Sequence, residues 1–240
     1  MVLSLSAQRQ MYVWQDGVKT TYEVANVDSI TFSKVENPDP NTGATGSENG
    51  YEYVDLGLSV KWATCNVGAT KPEEYGDYFA WGETEPKSTY DWSTYKYCNG
   101  SSSSLTKYCT DSYYGTVDNK TTLELSDDAA RANWGGSWRM PTKAEQDELR
   151  NNCTWTWTTQ NGVNGYKVTS KSNGKSIFLP AAGYRRDSSL NNAGSYGGYW
   201  SSSLGTGNPR NAYGLSFDSS YVDWISSLRY GGRSVRPVCP

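Results

Sequence analysis

The residues that could do chemistry in this chain fall into three groups, and one absence limits them all. Paired acids stand at Glu73-Glu74, Glu83/Glu85 and Asp127-Asp128, the residue types that glycoside hydrolysis uses as acid and base. Five cysteines (Cys65, Cys98, Cys109, Cys153, Cys239) allow at most two disulfides and one free thiol. No C-x-x-C occurs, so a zinc or thioredoxin-like reading lacks its motif. Connectivity is not readable from the spacing, and Cys98 with Cys109 is the first pair to test. The third group is the tract "AYGLSFDSSYVDWISSLRYGGRSVRPV" from Ala212 to Val238. Its Tyr, Ser, Gly, Asp and Arg are poor core material and good contact material. Histidine is absent from all 240 residues. That excludes Ser-His-Asp and Cys-His hydrolysis, His-ligated metals and imidazole proton shuttles.

The acids have simpler readings than catalysis. Asp127-Asp128 sits before "AARAN" with Ser126, where carboxylates cap a helix and suit its dipole. The glutamate pairs are expected to belong to solvated turns. The expectation is therefore a protein that is not an enzyme.

The elements that position the C-terminal tract follow from side-chain period. Leu215 and Phe217 share one face of a strand, Ser219-Ser220 turns the chain, and Val222 and Trp224 share one face of the next. With those four inward, Gly214, Ser216, Asp218, Tyr221, Asp223 and Ile225 point outward. The expected contact set adds Gly198, Leu204, Thr206, Arg210, Tyr213, Ser226, Ser227, Leu228, Arg229, Tyr230, Gly231 and Arg233. Trp200, Trp224, Leu215, Phe217 and Val235 read as scaffold.

Upstream, "MYVWQDGVKTTYEV" alternates around Asp16-Gly17, a hairpin signal. Residues 36–50 read as a linker, rich in Pro, Gly, Asn and Ser. Val54, Leu56, Leu58, Val60 and Trp62 share a period-two face. Residues 70–122 carry no long periodic segment and read as irregular structure. Thr142 with Glu145 forms a capping box for a second helix, and short strands return from Cys153 onward. Strands, two helices, then strands predict an α+β class. The organisation expected is a signal-peptide remnant over 1–9 ("MVLSLSAQ") and a hairpin segment over 10–35. The linker and one ligand-binding domain over 51–240 follow.

Hydrophobic residues make up 36% and aromatics 14%, with only 20% charged and a mean hydropathy of −0.72. This polarity from Ser, Thr, Asn and Gly suits an exported or cell-surface protein. Net charge is −3 with a pI near 5.1, and no basic run offers a surface for nucleic acid. No stretch reaches the ~18–20 apolar residues of a membrane span.

The segments "VDLGLSVKWATCNVGA…YFAWGE", "WGGSWRMPTKAEQDEL" and "GSYGGYWSSS…AYGLSF…RYGGRSVRPV" resemble C-type-lectin-fold proteins of gut Bacteroidales. These are related to the Fibrobacter succinogenes major paralogous domain and to formylglycine-generating enzymes. The closing segment resembles the variable region of diversity-generating retroelement target proteins. The resemblance covers about residues 51–238, with Trp138–Thr142 and Ser234–Val238 its most specific parts. It implies a C-type lectin fold with two short helices, small antiparallel sheets and long loops. It also implies a hypervariable region over about 184–238 that binds a protein or carbohydrate ligand.

Such diversification reaches Asn, Ser, Tyr, Asp, Gly, Ile, Leu and Arg, but not Lys, Glu, Gln, Met or Trp. Lys, Glu, Gln and Met supply 31 of the first 183 residues and none of the last 57, where that density would place about ten. Two relatives of the family offer other functions. A formylglycine-generating enzyme uses a cysteine pair and a metal, whereas the only late cysteine here is Cys239. A calcium lectin uses Glu-Pro-Asn, but here Glu85-Pro86 is followed by Lys87. No cofactor is expected; a structural calcium stays open as an alternative, and the sequence does not place it. A fimbrial or adhesin component without diversification is the alternative.

Overall fold

Short period-two runs of Thr, Val, Tyr and Trp dominate the chain, and such residues favour strands. The computed structural model describes residues 10–15, 18–23 and 43–240. Among the described residues, strand makes up 37% and helix 10%. The expected α+β, C-type-lectin class is therefore corrected to a mostly-β architecture. Both expected helices form, but they are short, and small antiparallel sheets supply most of the regular structure. No helix among the described residues is long and apolar enough to cross a membrane.

Strands β1 (Gln10–Gln15) and β2 (Val18–Glu23) pair antiparallel, from Gln10↔Glu23 to Gln15↔Val18. They belong to a unit ending at Val35, distinct from the unit Glu36–Pro240. The signal-like opening, the Asp16-Gly17 turn and residues 36–42 of the expected linker lie outside the described residues.

The second unit begins with β3 (Gly46–Glu48), β4 (Tyr51–Val54) and β5 (Lys61–Ala63). The far end of the expected linker is thus a strand, and Asn49-Gly50 turns it into β4. Both turn residues have positive φ, 47° and 83°, as a two-residue hairpin loop requires. Helix α1 (Ala129–Trp134) is capped by Asp128, whose carboxylate accepts from the Arg131 N–H at 3.0 Å. Helix α2 (Lys143–Asn152) has the full capping box of Thr142 and Glu145. Then come β6 (Cys153–Gln160), β7 (Val163–Ser170) and β8 (Ser176–Pro180), one antiparallel sheet. Asn161-Gly162 makes the same kind of turn between the first two, with φ of 47° and 85°. A small pair, β9 (Tyr184–Arg186) and β10 (Ser189–Asn191), precedes β11 (Gly197–Leu204), β12 (Asn211–Phe217) and β13 (Val222–Leu228). The last strand, β14 (Val238–Cys239), returns to pair with β5, placing Val238 opposite Trp62.

Two buried clusters form the core. One packs the irregular region 70–122 through Trp81, Tyr95, Tyr97 and Tyr108 against Trp138, Trp200 and Val235. The other joins Trp62, Leu149, Tyr166, Tyr199, Leu215 and Phe217. The five cysteines are all buried free thiols, and Cys98 and Cys109 do not bridge. The Cys98 thiol donates to the Trp92 carbonyl at 3.0 Å and the Cys109 thiol to the Asp111 carbonyl at 3.1 Å. Each closes its own loop.

Ser234–Val238 threads between these parts. Its backbone bonds Trp200 and Gly198 on one side, Ala63 and Val67 on another, and Arg139 beyond. Arg236 is 1% exposed. Its guanidinium donates to the carbonyls of Ala63 (3.0 Å), Thr64 (2.6 Å) and Phe178 (2.9 Å) and to Asn66 Oδ1 (2.9 Å).

Arg236→Leu is expected to cost at least about 3 kcal/mol, since each orphaned buried acceptor carries a penalty of about 1–3 kcal/mol. The urea midpoint should fall with an unchanged m-value. A midpoint like that of the parent protein contradicts the assignment.

Asp127 anchors the irregular region. Burial opposes its ionisation, but Lys107 Nζ at 2.5 Å and the Tyr108 hydroxyl at 2.7 Å outweigh burial and hold its carboxyl below the ordinary 3.8. A carboxyl depressed in the folded state stabilises fully above its unfolded value, and that stability is lost as pH falls through the folded value. Stability measured by urea titration should therefore decline as pH drops below 3.8, more steeply than in Asp127→Asn. Identical acid limbs in the two proteins would show that Asp127 carries none of this dependence.

Candidate ligand-binding face

The sheet β11-β12-β13 carries the C-terminal tract, with β12 in the middle and β13 at the edge. Register sets Leu215 opposite Trp224 and Phe217 opposite Val222, so these four share a face, as expected. Burial does not follow face alone. Leu215 and Phe217 are buried and Val222 is half-buried, but Trp224 is 44% exposed. The expectation that Trp224 is core is corrected. On the edge strand it projects outward against Tyr213, with ring centroids 5.5 Å apart, and Lys143 Nζ lies 5.0 Å from its ring.

The opposite face of β12 was expected to look outward, and there too the structure differs. Ser216 is fully buried and Gly214 is buried, because a central strand between two core clusters is covered on both faces. A Cβ at Gly214 would sit 2.4 Å from the Tyr199 carbonyl oxygen, and one at Gly198 would sit 2.2 Å from Arg233 Nη1. Both glycines are floor rather than contact residues. Leu204, Arg229, Tyr230 and Arg233 are also buried, contrary to expectation.

Each has a specific cause. Leu204 joins the first core cluster. Tyr230 packs edge-on against Trp92 at 5.0 Å. Arg229 lies over Trp81 and Tyr95 and donates to the carbonyls of Tyr108 (2.7 Å) and Lys107 (3.1 Å). Arg233 lies over Tyr184 at 5.4 Å and Trp200 at 5.2 Å, and donates to the Ser227 hydroxyl at 2.7 Å and the Tyr196 hydroxyl at 3.3 Å.

Of the expected contact residues, Thr206, Tyr221, Asp223 and Ser226 are exposed. Arg210, Tyr213, Asp218, Ile225, Ser227, Leu228 and Gly231 are half-buried. The two flanking loops meet at one end of the hairpin, where the Arg229 N–H donates to the Arg210 carbonyl at 2.9 Å. The single expected patch divides about the edge strand. On the α2 side stand Tyr213, Trp224 and Thr206, whose hydroxyl bonds that of Tyr213. Arg150 of α2 pairs with Asp223. On the other side Ser227, Arg233 and Tyr196 adjoin a cleft of about 210 Å³ lined also by Tyr184, Arg185, Arg186, Leu228, Tyr230 and Gly231.

Sequence reasoning missed Tyr184, Tyr196 and Arg186. Their signal was available: all three fall in the last 57 residues, in the same tract depleted of Lys, Glu, Gln and Met. A family model described as a domain of unknown function (DUF8237) matches residues 155–238, which span β6 to the first residue of β14. No curated protein and no solved structure matches the chain.

Exposure sets the expected energetics. Phe217→Ala should cost about 3–5 kcal/mol, as for a buried aromatic. Trp224→Ala should cost about 1 kcal/mol or less, near the range of surface sites. Equal losses in urea denaturation would show that Trp224 belongs to the core.

Proposed function

We propose that this chain is a non-catalytic, exported or surface-displayed binding protein whose C-terminal hairpin and flanking loops contact a variable ligand. The observation that carries this reading joins sequence to position. The last 57 residues lack Lys, Glu, Gln and Met, and the side chains they leave exposed around β13 are Tyr, Ser, Thr, Asp and Trp. Tyr and Trp give broad amphipathic contact at low entropy cost, and Ser adapts its hydrogen bonding. The resemblance to retroelement-diversified proteins supplies a reason for the depletion. In that reading Trp224, which the diversification route does not reach, is a constant aromatic platform beside variable neighbours. The buried Arg229 and Arg236 hold the frame while the edge strand changes.

The genomic test is direct: a reverse-transcriptase gene and a near-copy of the 3′ region should flank this gene. The physical test uses a partner selected by display against the intact chain. Tyr221→Ala or Trp224→Ala should weaken that partner by about 1–2 kcal/mol or more, as at interface hot spots, with the fold intact by circular dichroism. Binding that survives both changes but is abolished by substitutions between Glu73 and Tyr97 contradicts the proposal.

A further inference from the structure

The arginines around the C-terminal sheet and its cleft divide by what their guanidinium groups touch. Arg150 faces carboxylates, at Asp147 and Asp223. Arg229 and Arg236 donate to main-chain carbonyls, and Arg236 also to Asn66 Oδ1. Arg185, Arg186 and Arg233 have no carboxylate within ion-pair distance among the described residues, where the arginines so paired are Arg139 and Arg150. All three line the same cleft of about 210 Å³. No acid lines it.

Arg233 is the informative member. It is 7% exposed, yet it gives only two hydrogen bonds, both to hydroxyls. A guanidinium carries five donors in a fixed fork. Rings on Tyr184 and Trp200 and the flat floor at Gly198 hold it in place without neutralising it. Burying a cation without a counter-charge is costly, so an anion entering this cleft meets a group already oriented and desolvated.

We infer that the cleft between Tyr184–Arg186 and Ser227–Arg233 binds a carboxylate carried on a single ring-sized unit, as in an acidic sugar. The inference rests on the reading of this region as a ligand-binding face. Phosphate is commonly cradled by main-chain N–H groups. Here the N–H groups of Arg185, Gly231, Gly232 and Arg233 are all spent on backbone carbonyls. Recognition then comes from the planar side-chain fork, which matches a carboxylate or a phosphate bidentately. The spent main-chain donors and the ring-sized aromatic lining favour the carboxylate on a ring. The volume lies below the ~300–1,000 Å³ of pockets for larger ligands. Tyr184 and Tyr230 line it with aromatic surface for a ring, and Ser227 supplies a hydroxyl.

The test is an NMR titration of the intact chain with methyl glucuronide, following the Arg side-chain N–H signals. Methyl glucoside, N-acetylglutamate and inorganic phosphate serve as the comparison probes. Methyl glucuronide should bind about tenfold tighter than the glucoside and weaken with added salt. Arg186→Gln, at an exposed position, should weaken it about two- to fivefold without disturbing the fold. Arg233→Gln should weaken it by more than about tenfold. Equal affinity for the uronide and the glucoside overturns the inference, as does an Arg186→Gln variant that binds like the parent. Tighter binding of phosphate or of N-acetylglutamate overturns the assignment to an acidic sugar. If the uronide fails while Tyr221→Ala and Trp224→Ala still abolish capture of a displayed partner, this inference falls and the binding-face reading stands.

Discussion

The guanidinium of Arg236 holds together segments that nothing local in the chain would join. It sits between β5 and β8 and reaches the carbonyls of Ala63, Thr64 and Phe178 in one planar fan. Burial lowers its affinity for a proton, but a guanidinium stays ionised in proteins. The charge is therefore satisfied by dipoles alone. Those dipoles belong to residues 63–66 and to β8, while the guanidinium comes from the C-terminal segment, so the position of that segment depends on this one side chain. Ser234–Val238 in turn lies along the outer edge of β11, with the Trp200 N–H donating to the Ser234 carbonyl at 3.1 Å. Where Arg236 is fixed, β11 is fixed, and the binding hairpin follows from β11.

That arrangement explains how a polar, glycine-rich tail can be rigid. The bulky charged groups of the tail are not its surface. Arg229 serves the irregular region as Arg236 serves the sheets, donating to carbonyls at Lys107 and Tyr108 from within an aromatic box. The edge strand β13 ends immediately before the first of these anchors, and Asp223, Trp224 and Ser226 along it, with Tyr221 just ahead of it, stay exposed. A frame of buried arginines and tryptophans supporting an exposed edge separates stability from contact, as binding loops on a rigid scaffold do.

Local rules made part of this legible in the sequence. The Asp128 cap and the Thr142–Glu145 box define both helices, because a cap is set by residues three apart. The shared face of Leu215, Phe217, Val222 and Trp224 follows from period two alone. Burial was not legible, because it depends on what lies across each face. Ser216 is covered and Trp224 is not, and neither fact is written in residues 212–225. The arginine contacts were hidden for the same reason: Arg236 meets Ala63 across 173 residues of chain. The helices were read correctly but weighted too heavily, and the many short strands outweigh them in the class of the fold. Asn49-Gly50 carried a hairpin signal, yet its neighbours read as linker, so β3 was missed.

The central claim is that the closing tract combines a fixed frame with a permissive contact surface. Saturation mutagenesis of residues 184–238 in a cell-surface display format, sorted only for folded protein, tests it most directly. Positions 206, 221, 223, 224 and 226 should accept most side chains, while 214, 216, 229 and 236 should accept almost none. Tolerance spread evenly along the tract, or free substitution at 229 and 236, would contradict it.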